Sequence, residues 1–116
     1  MNKELNLNKN ILSKGKCEPC SGNTPKLSHE EISKYLSQIS EWSVNDNQDM
    51  IFKKFKFSNF KKSLEFTNRV GELSEKEGHH PDISLGFSYC LIMIHTHAIK
   101  GLSINDFILA SKIDLL

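Results

Sequence analysis

The sequence predicts an α+β domain, a four-stranded antiparallel sheet with helices packed on one face, in the order α-β-β-α-β-β-α. Three observations carry this. Apolar residues recur at helical spacing behind capping signals in three places. Between them lie two pairs of extended segments, each pair joined by a short turn. Strands joined so closely must run antiparallel, and the helices then have a sheet face to cover.

The first helix opens at Ser28-His29-Glu30-Glu31, a Ser-x-x-Glu capping box in which the two side chains satisfy each other's backbone donors. Behind it Ile32, Tyr35, Leu36 and Ile39 form one apolar stripe, so the helix runs over about 28–39. Glu41-Trp42-Ser43-Val44 alternates, Asn45-Asp46-Asn47-Gln48 turns, and Met50 to Phe57 resumes an extended pattern, together a hairpin. Ser58 is placed to cap a long helix in which Phe60, Leu64, Thr67, Val70 and Leu73 share a side to about Lys76. Gly78 stands where a left-handed stop is useful. Ile83, Leu85 and Phe87 alternate with polar residues, a turn at Ser88 follows, and Tyr89 to Thr96 is a continuous apolar strand. Ser103 caps a last helix with Ile104, Phe107, Ile108 and Leu115 on one side. Phe60, Phe66 and Trp42 read as core.

Composition narrows the function. A chain of 116 residues, 38% apolar and 25% charged, suits one domain with a core of its own. Residues 1–26, rich in Asn, Lys, Gly and Pro, read as a mobile tail tacked down near Cys17–Cys20, and 27–116 as the folded domain. Fifteen basic against fourteen acidic residues leave no net field for a phosphate backbone, which argues against a nucleic-acid binder. Lys53, Lys54, Lys56, Lys61 and Lys62 read as a solvated face. No apolar run reaches the roughly 18–20 residues of a membrane span, and residues 1–16 lack the apolar stretch of a signal peptide. Three cysteines do not make a disulfide framework, so a soluble cytoplasmic protein is expected. Without a Gly-rich phosphate loop or Gly-x-Ser-x-Gly, nucleotide hydrolysis and serine-nucleophile chemistry have no support.

The chemistry-bearing residues are histidines. His79, His80, His95 and His97 fall in one short window. Pro81 pushes His80 out of helical geometry, so the pair sits at a helix-to-strand corner. His95 and His97, two apart, point to the same side of a strand, and the returning hairpin can bring His97 near His79 and His80. Imidazoles titrate near neutral pH and can both give and take protons. Metal ligation is the rival reading, three histidines at the corner holding zinc with an open position; against it, Cys17-Glu-Pro-Cys20 is a single Cys-x-x-Cys with no second pair. Asp106, three residues after Ser103, completes a helix cap.

His79-His80-Pro81-Asp82, Thr96-His97, and Gly101-Leu102-Ser103 with Asp106 together resemble the signature of the pterin-4a-carbinolamine dehydratases. The resemblance extends through Trp42, Phe55-Lys56-Phe57 and Phe60, over roughly 27–114, and the Cys17–Cys20 tail looks like bacterial members. Ile83 departs from the aromatic that many members carry there. It implies a four-stranded antiparallel sheet with helices on one face. It also implies a hydro-lyase that dehydrates 4a-hydroxytetrahydropterin to quinonoid dihydropterin, recycling tetrahydropterin, with no metal or redox cofactor. By the same resemblance His79, His97 and His80 are catalytic, with His79 and His97 the acid/base pair and His80 chiefly holding the pterin. His80, Pro81, Asp82, Thr96 and Asp106 line the pterin site, where Asp106 orients an imidazole or fixes the helix start that frames the pocket. A homodimer or homotetramer is expected, with an apolar face bearing either Leu91 and Met93 or Ile92 and Ile94 covered by another subunit. The alternatives are a non-catalytic dimerisation module of this fold, and a relative acting on another pterin, as in molybdopterin metabolism.

Overall fold

The computed structural model describes residues 12–116, so Leu5, Leu7 and Ile11 of the expected tail lie outside the described residues. Helix α1 (His29–Leu36) starts at the expected capping box. Ser28 Oγ accepts from Glu31 N–H at 3.2 Å and Glu31 Oε1 accepts from Ser28 N–H at 2.9 Å. Strands β1 (Ser43–Val44) and β2 (Ile51–Lys56) precede helix α2 (Phe60–Glu77). Strands β3 (Asp82–Gly86) and β4 (Tyr89–Ile94) follow, then a single 3₁₀ turn at His97–Ile99 and helix α3 (Ile104–Ile113). The element order is the one the sequence predicts.

The sheet is antiparallel throughout, in the order β1-β2-β4-β3. Its parity follows from β4, where Cys90, Ile92 and Ile94 are buried and alternate with half-exposed Tyr89, Leu91 and Met93. Register carries the same division across the sheet, with Ile51 opposite Ile94 and Phe52 opposite Met93. The helices cover the Cys90–Ile92–Ile94 face, and the Leu91–Met93 face stays open.

Helix α3 is the centre of the core. Phe107 to Ser111 and Ile113 are all buried, so the helix has no solvent stripe in its middle turns. Leu115, expected on its buried side, is 70% exposed because the helix ends at Ile113 and the chain turns outward. Trp42 Nε1 donates to Asp114 at 3.0 Å, and Lys53 pairs with the same carboxylate at 2.8 Å. Lys53 is thus the exception among lysines expected on a solvated face. Its neighbours Lys54 and Lys56, one strand residue out of phase or more, are exposed.

Helix α2 departs from expectation in its cap and its buried stripe. Asn59, not Ser58, is the N-cap, its side chain accepting from Lys62 N–H at 2.9 Å. Phe60 and Leu64 are 46% and 39% exposed, and the buried stripe is Ser63, Phe66, Val70 and Ser74. Two contacts select that stripe. The Ser63 hydroxyl reaches the Gly86 carbonyl at 2.8 Å, in the β3–β4 turn, and Phe66 packs on Phe55 and Phe57 with ring centroids 4.6 and 5.1 Å apart. Trp42 and Phe66 are core as expected, and Phe60 is not.

The contrast between the two phenylalanines is measurable. Phe107→Ala is expected to cost about 3–5 kcal/mol of unfolding free energy, since it empties a fully buried site. Phe60→Ala is expected to cost under about 1 kcal/mol, because the ring already faces solvent on one side. Urea denaturation of the two variants reads both values.

Candidate active site

Gly78 ends α2 with φ 67°, in the left-handed region that lets the chain turn sharply inward. The His79 N–H donates back to the Ser74 carbonyl at 3.2 Å, so the first residue past the stop is fixed against the helix end. His79 is 7% exposed. His80, the next residue of an extended segment leading into Pro81, points the other way and is exposed. Adjacent histidines at this corner therefore have opposite environments. The His80 ring Nε2 pairs with Glu75 on the surface of α2.

The inward imidazole meets a buried carboxylate. His79 Nε2 lies 2.6 Å from Asp106 Oδ1, and Asp106 has no solvent exposure. Asp106 Oδ2 accepts from the Thr96 hydroxyl at 2.8 Å and from the Ser103 backbone N–H at 2.8 Å. Since Thr96 spends its proton on Asp106, the Ser103 hydroxyl 2.7 Å away donates to Thr96. Three donors converge on one carboxylate, which is an arrangement for the ionised form. With Asp106 accepting, the proton of the neutral His79 ring resides on Nε2, and Nδ1 presents its lone pair.

The strand carrying the second histidine pair ends earlier than expected. β4 stops at Ile94, and Thr96 closes an isolated bridge with Gly101, its N–H donating to the Gly101 carbonyl at 2.9 Å. His97 therefore opens the 3₁₀ turn instead of extending the strand. The bridge turns the Thr96 hydroxyl toward Asp106 and leaves His97 exposed at the rim. His95 and His97 still share a side, with ring centroids 4.1 Å apart. They line a cleft of about 360 Å³ together with Asp49, Met50 and Lys100, within the range of about 300–1,000 Å³ that small-molecule sites occupy. A larger concavity of about 540 Å³, bounded by Phe55, Phe57 and Arg69, is lined by none of these histidines.

Of the residues singled out in the sequence, His79, Thr96 and Asp106 are brought into one hydrogen-bonded group. His97 follows Thr96 directly and stands on the cleft side of that group. His80 and Asp82 are exposed, with Asp82 3.4 Å from His95 Nε2, and Pro81 is half-buried between them. Among the described residues no group of three or more His, Cys, Asp or Glu is arranged to hold a metal ion.

The neighbourhood also holds residues that sequence reasoning left aside. Asn105 is 2% exposed and clamps the segment Cys17–Cys20. Its Oδ1 accepts from Glu18 N–H at 3.0 Å, and its Nδ2 donates to the Glu18 carbonyl at 2.7 Å and to Cys20 Sγ at 3.1 Å. The Cys17 N–H donates to Glu77 Oε1 at 3.1 Å, and Lys112 pairs with the other oxygen at 2.7 Å. Cys20 Sγ lies 3.8 Å from His79 Nδ1. The expected tail thus crosses over the inward histidine as a strap, with contacts at the Cys17–Cys20 position where tacking was anticipated and with Leu12 buried in the core. Neither Asn105 nor Glu77 carries a local motif that points to this role. Their partners in the Cys17–Cys20 segment lie 60 to 88 residues away in the chain.

The elements thus define a class: an α+β domain with a corner histidine held by a buried carboxylate and a cleft lined by His95 and His97. Residues 25–116 match the family model described as pterin 4 alpha carbinolamine dehydratase. The chain belongs to that family. A relative from Alkaliphilus metalliredigens is 50% identical over 107 residues, covering 90% of this chain and 95% of its own. One from Methylococcus capsulatus is 45% identical over 103 residues, covering 89% and 90%. Both carry the name pterin-4-alpha-carbinolamine dehydratase as a provisional assignment. A Brucella melitensis transcriptional coactivator/pterin dehydratase shares the fold at TM-score 0.75 and 24% identity, over 78% of this chain and 97% of its own. A pterin dehydratase-like protein described as a RuBisCO assembly factor of the alpha-carboxysome matches at TM-score 0.57 and 25% identity, over 66% and 88%. No helix among the described residues is long and apolar enough to cross a membrane.

Two measurements check the strap and its anchor. Burial first, and then the neighbouring Glu77 charge, push the Cys17 thiol up to about 12. At pH 8 its thiolate fraction is then about one part in ten thousand, and Cys90 is fully buried with its thiol also raised by burial. Iodoacetamide is therefore expected to label exposed Cys20 first, read by peptide mass spectrometry. Burial alone would raise the Glu77 carboxyl, but the Lys112 hydrogen bond and charge with the Cys17 N–H outweigh it and hold it below the ordinary value. A depressed carboxylate stabilises fully above its unfolded value and loses that contribution as pH falls through the folded one. Glu77→Gln is expected to cost about 1–2 kcal/mol at neutral pH. The gap from wild type should close on acidification through that lower range, measured by urea titration.

Proposed function

We propose that this chain dehydrates 4a-hydroxytetrahydropterin to quinonoid dihydropterin and water by histidine acid/base catalysis, regenerating a pterin that hydroxylation has consumed. The observation that carries this reading is the fully buried Asp106 carboxylate, which orients His79 and, through Thr96, fixes the segment that presents His97. Family membership supplies the reaction class.

The reaction needs one proton delivered and one removed. A proton on the C4a hydroxyl lets the C–O bond break with water as the leaving group, and a ring nitrogen then gives up a proton. His79 and His97 form the acid/base pair in this proposal. The proton removed equals the proton delivered, so the pair's proton count is unchanged; the acid ends deprotonated and the base protonated, and a proton passes between them or through solvent before the next turnover. Asp106 holds the His79 ring by Nε2 and leaves Nδ1 as the exchanging nitrogen. His80, Pro81 and Asp82 complete the pterin-contacting set, with His80 chiefly binding. Thr96 and Asp106, expected to line the pterin site, are buried to 1% and 0% exposure with their oxygens committed to one another, Ser103 and His79, so in this proposal they act through His79. A neutral pterin asks for hydrogen bonds and stacking, and the His95–His97–Met50 cleft offers both kinds of contact. The open sheet face with Phe52, Leu91 and Met93 half-buried is proposed as a contact between copies in a homodimer or homotetramer.

A second reading is a binding module of the same fold. The names of the two structural neighbours, a coactivator and an assembly factor, motivate it. Turnover separates the two.

Stopped-flow assay with 4a-hydroxytetrahydrobiopterin is expected to show dehydration by the wild type. His79→Ala and His97→Ala should each lose about 10²–10⁴-fold in kcat, whereas His80→Ala should act mainly on KM. Unchanged rates in both His79→Ala and His97→Ala would overturn the assignment, and an inactive wild type would favour the binding module.

A further inference from the structure

The outward nitrogen of His79 has a partner that the reaction scheme above does not use. Cys20 Sγ stands 3.8 Å from Nδ1, and its place is set by more than chance proximity. Asn105, buried to 2% exposure, gives one Nδ2 hydrogen to the Glu18 carbonyl and the other to Cys20 Sγ. Its backbone carbonyl lies 3.5 Å from Cys17 Sγ, and its Oδ1 accepts from Glu18 N–H. Glu77 holds the Cys17 N–H from the other side. Every polar group of the Asn105 side chain is committed to placing four residues over one histidine.

The hydrogen-bond accounting then defines what the sulfur does. Asp106 takes the Nε2 proton of His79, so Nδ1 is an acceptor in the neutral ring. The Glu18 carbonyl, also 3.8 Å from Cys20 Sγ, is a second acceptor for the thiol, but one of its two lone pairs already receives the Asn105 N–H. Nδ1, at the same distance, is the more basic acceptor, so the thiol proton is assigned to it, with Asn105 donating to the sulfur. We propose that Cys20 is a positioning residue for His79: its thiol, presented by the Asn105-clamped strap, fixes the ring's tautomer and plane from the Nδ1 side as Asp106 fixes them from Nε2. The order Cys20–His79–Asp106 places one shared proton between sulfur and ring, at the solvent end of a chain that terminates in a buried carboxylate. When Nδ1 takes up the reaction's proton the contact reverses, the ring N–H donating to the sulfur, so the strap stays part of the wall of the site through the cycle. This deepens the dehydratase reading and rests on it for its catalytic consequence, though not for its geometry.

The experiment has two arms. Imidazole ¹⁵N spectra of the full-length protein are expected to show neutral His79 protonated on Nε2, with Nδ1 displaced from the value of a free lone pair. Cys20→Ala should move Nδ1 to the free value, and Cys20→Ser, which keeps a donor at the position, should restore most of the displacement. In the dehydration assay Cys20→Ala is expected to lower kcat about tenfold, the size of one lost hydrogen bond. KM should stay within about twofold of wild type, with recovery in Cys20→Ser. An Nδ1 signal identical in wild type and Cys20→Ala overturns the proposal, as does a Cys20→Ala enzyme that turns over as fast as wild type or faster. If the wild type dehydrates no pterin, the spectra alone still decide the contact, and only the dehydratase reading fails.

Discussion

A carboxylate with no access to water is costly to bury unless donors replace its hydration, and Asp106 draws a donor to each oxygen, three in all, from three separate places in the chain. His79 comes from the corner after α2, Thr96 from the bridge after β4, and the Ser103 N–H from the start of α3 itself. None of the three donors is dispensable to a buried charge. The corner, the bridge and the helix cap must therefore be in position together, and the rest of the architecture can be understood as what holds them there. Gly78 supplies the sharp turn, the Thr96–Gly101 bridge ends the strand, and the all-round burial of α3 fixes the helix that carries the charge.

The same arrangement explains why a run of histidines yields such different side chains. Extended backbone sends neighbours to opposite sides, so His79 goes into the group and His80 to the surface with Glu75. Two residues apart, His95 and His97 do share a side and pack ring on ring. What the alternation cannot do is close the outer side of His79, and there the strap enters. Asn105, adjacent to the carboxylate on the same helix start, holds it. One turn of α3 thus serves both faces of the ring: its buried charge orients the inner nitrogen and its neighbouring amide organises what meets the outer one.

Much of this was legible in the sequence, and the limits were physical. Capping boxes, strand alternation and the Gly78 stop are local signals, and the element order followed from them. Asp106 read as a helix cap, which describes its bond to Ser103 N–H and half of its work. The histidine end of the same carboxylate lies 27 residues back, beyond any local rule, and became visible only through family resemblance. Phe60 shows a different limit. Helical spacing gives a period but not a phase, and the choice between the Phe60–Leu64 stripe and the Ser63–Phe66 stripe was made by the β3–β4 turn and by Phe55 and Phe57. The strand's end at Ile94 could not be seen either, because YCLIMIHT continues to look like a strand and the interruption comes from the pairing of Thr96 with Gly101.

The strand order has a kinetic side. β3 and β4 are a tight hairpin that forms from local contacts, but the central seam of the sheet joins β2 to β4, from Ile51 opposite Ile94 to Lys56 opposite Tyr89. That seam closes a loop containing the whole of α2, and loop closure is unfavourable until the contacts it brings are made. Folding is thus expected to wait on a non-local step, the β3–β4 hairpin and α2, built on local contacts, preceding β2. Until β2 arrives, β4 keeps one edge unpaired, with Ile92 and Ile94 beside it. A lone edge of that kind is where chains pair with each other instead of with themselves, so the seam that completes the sheet is also the point at which the folding chain is most exposed to aggregation.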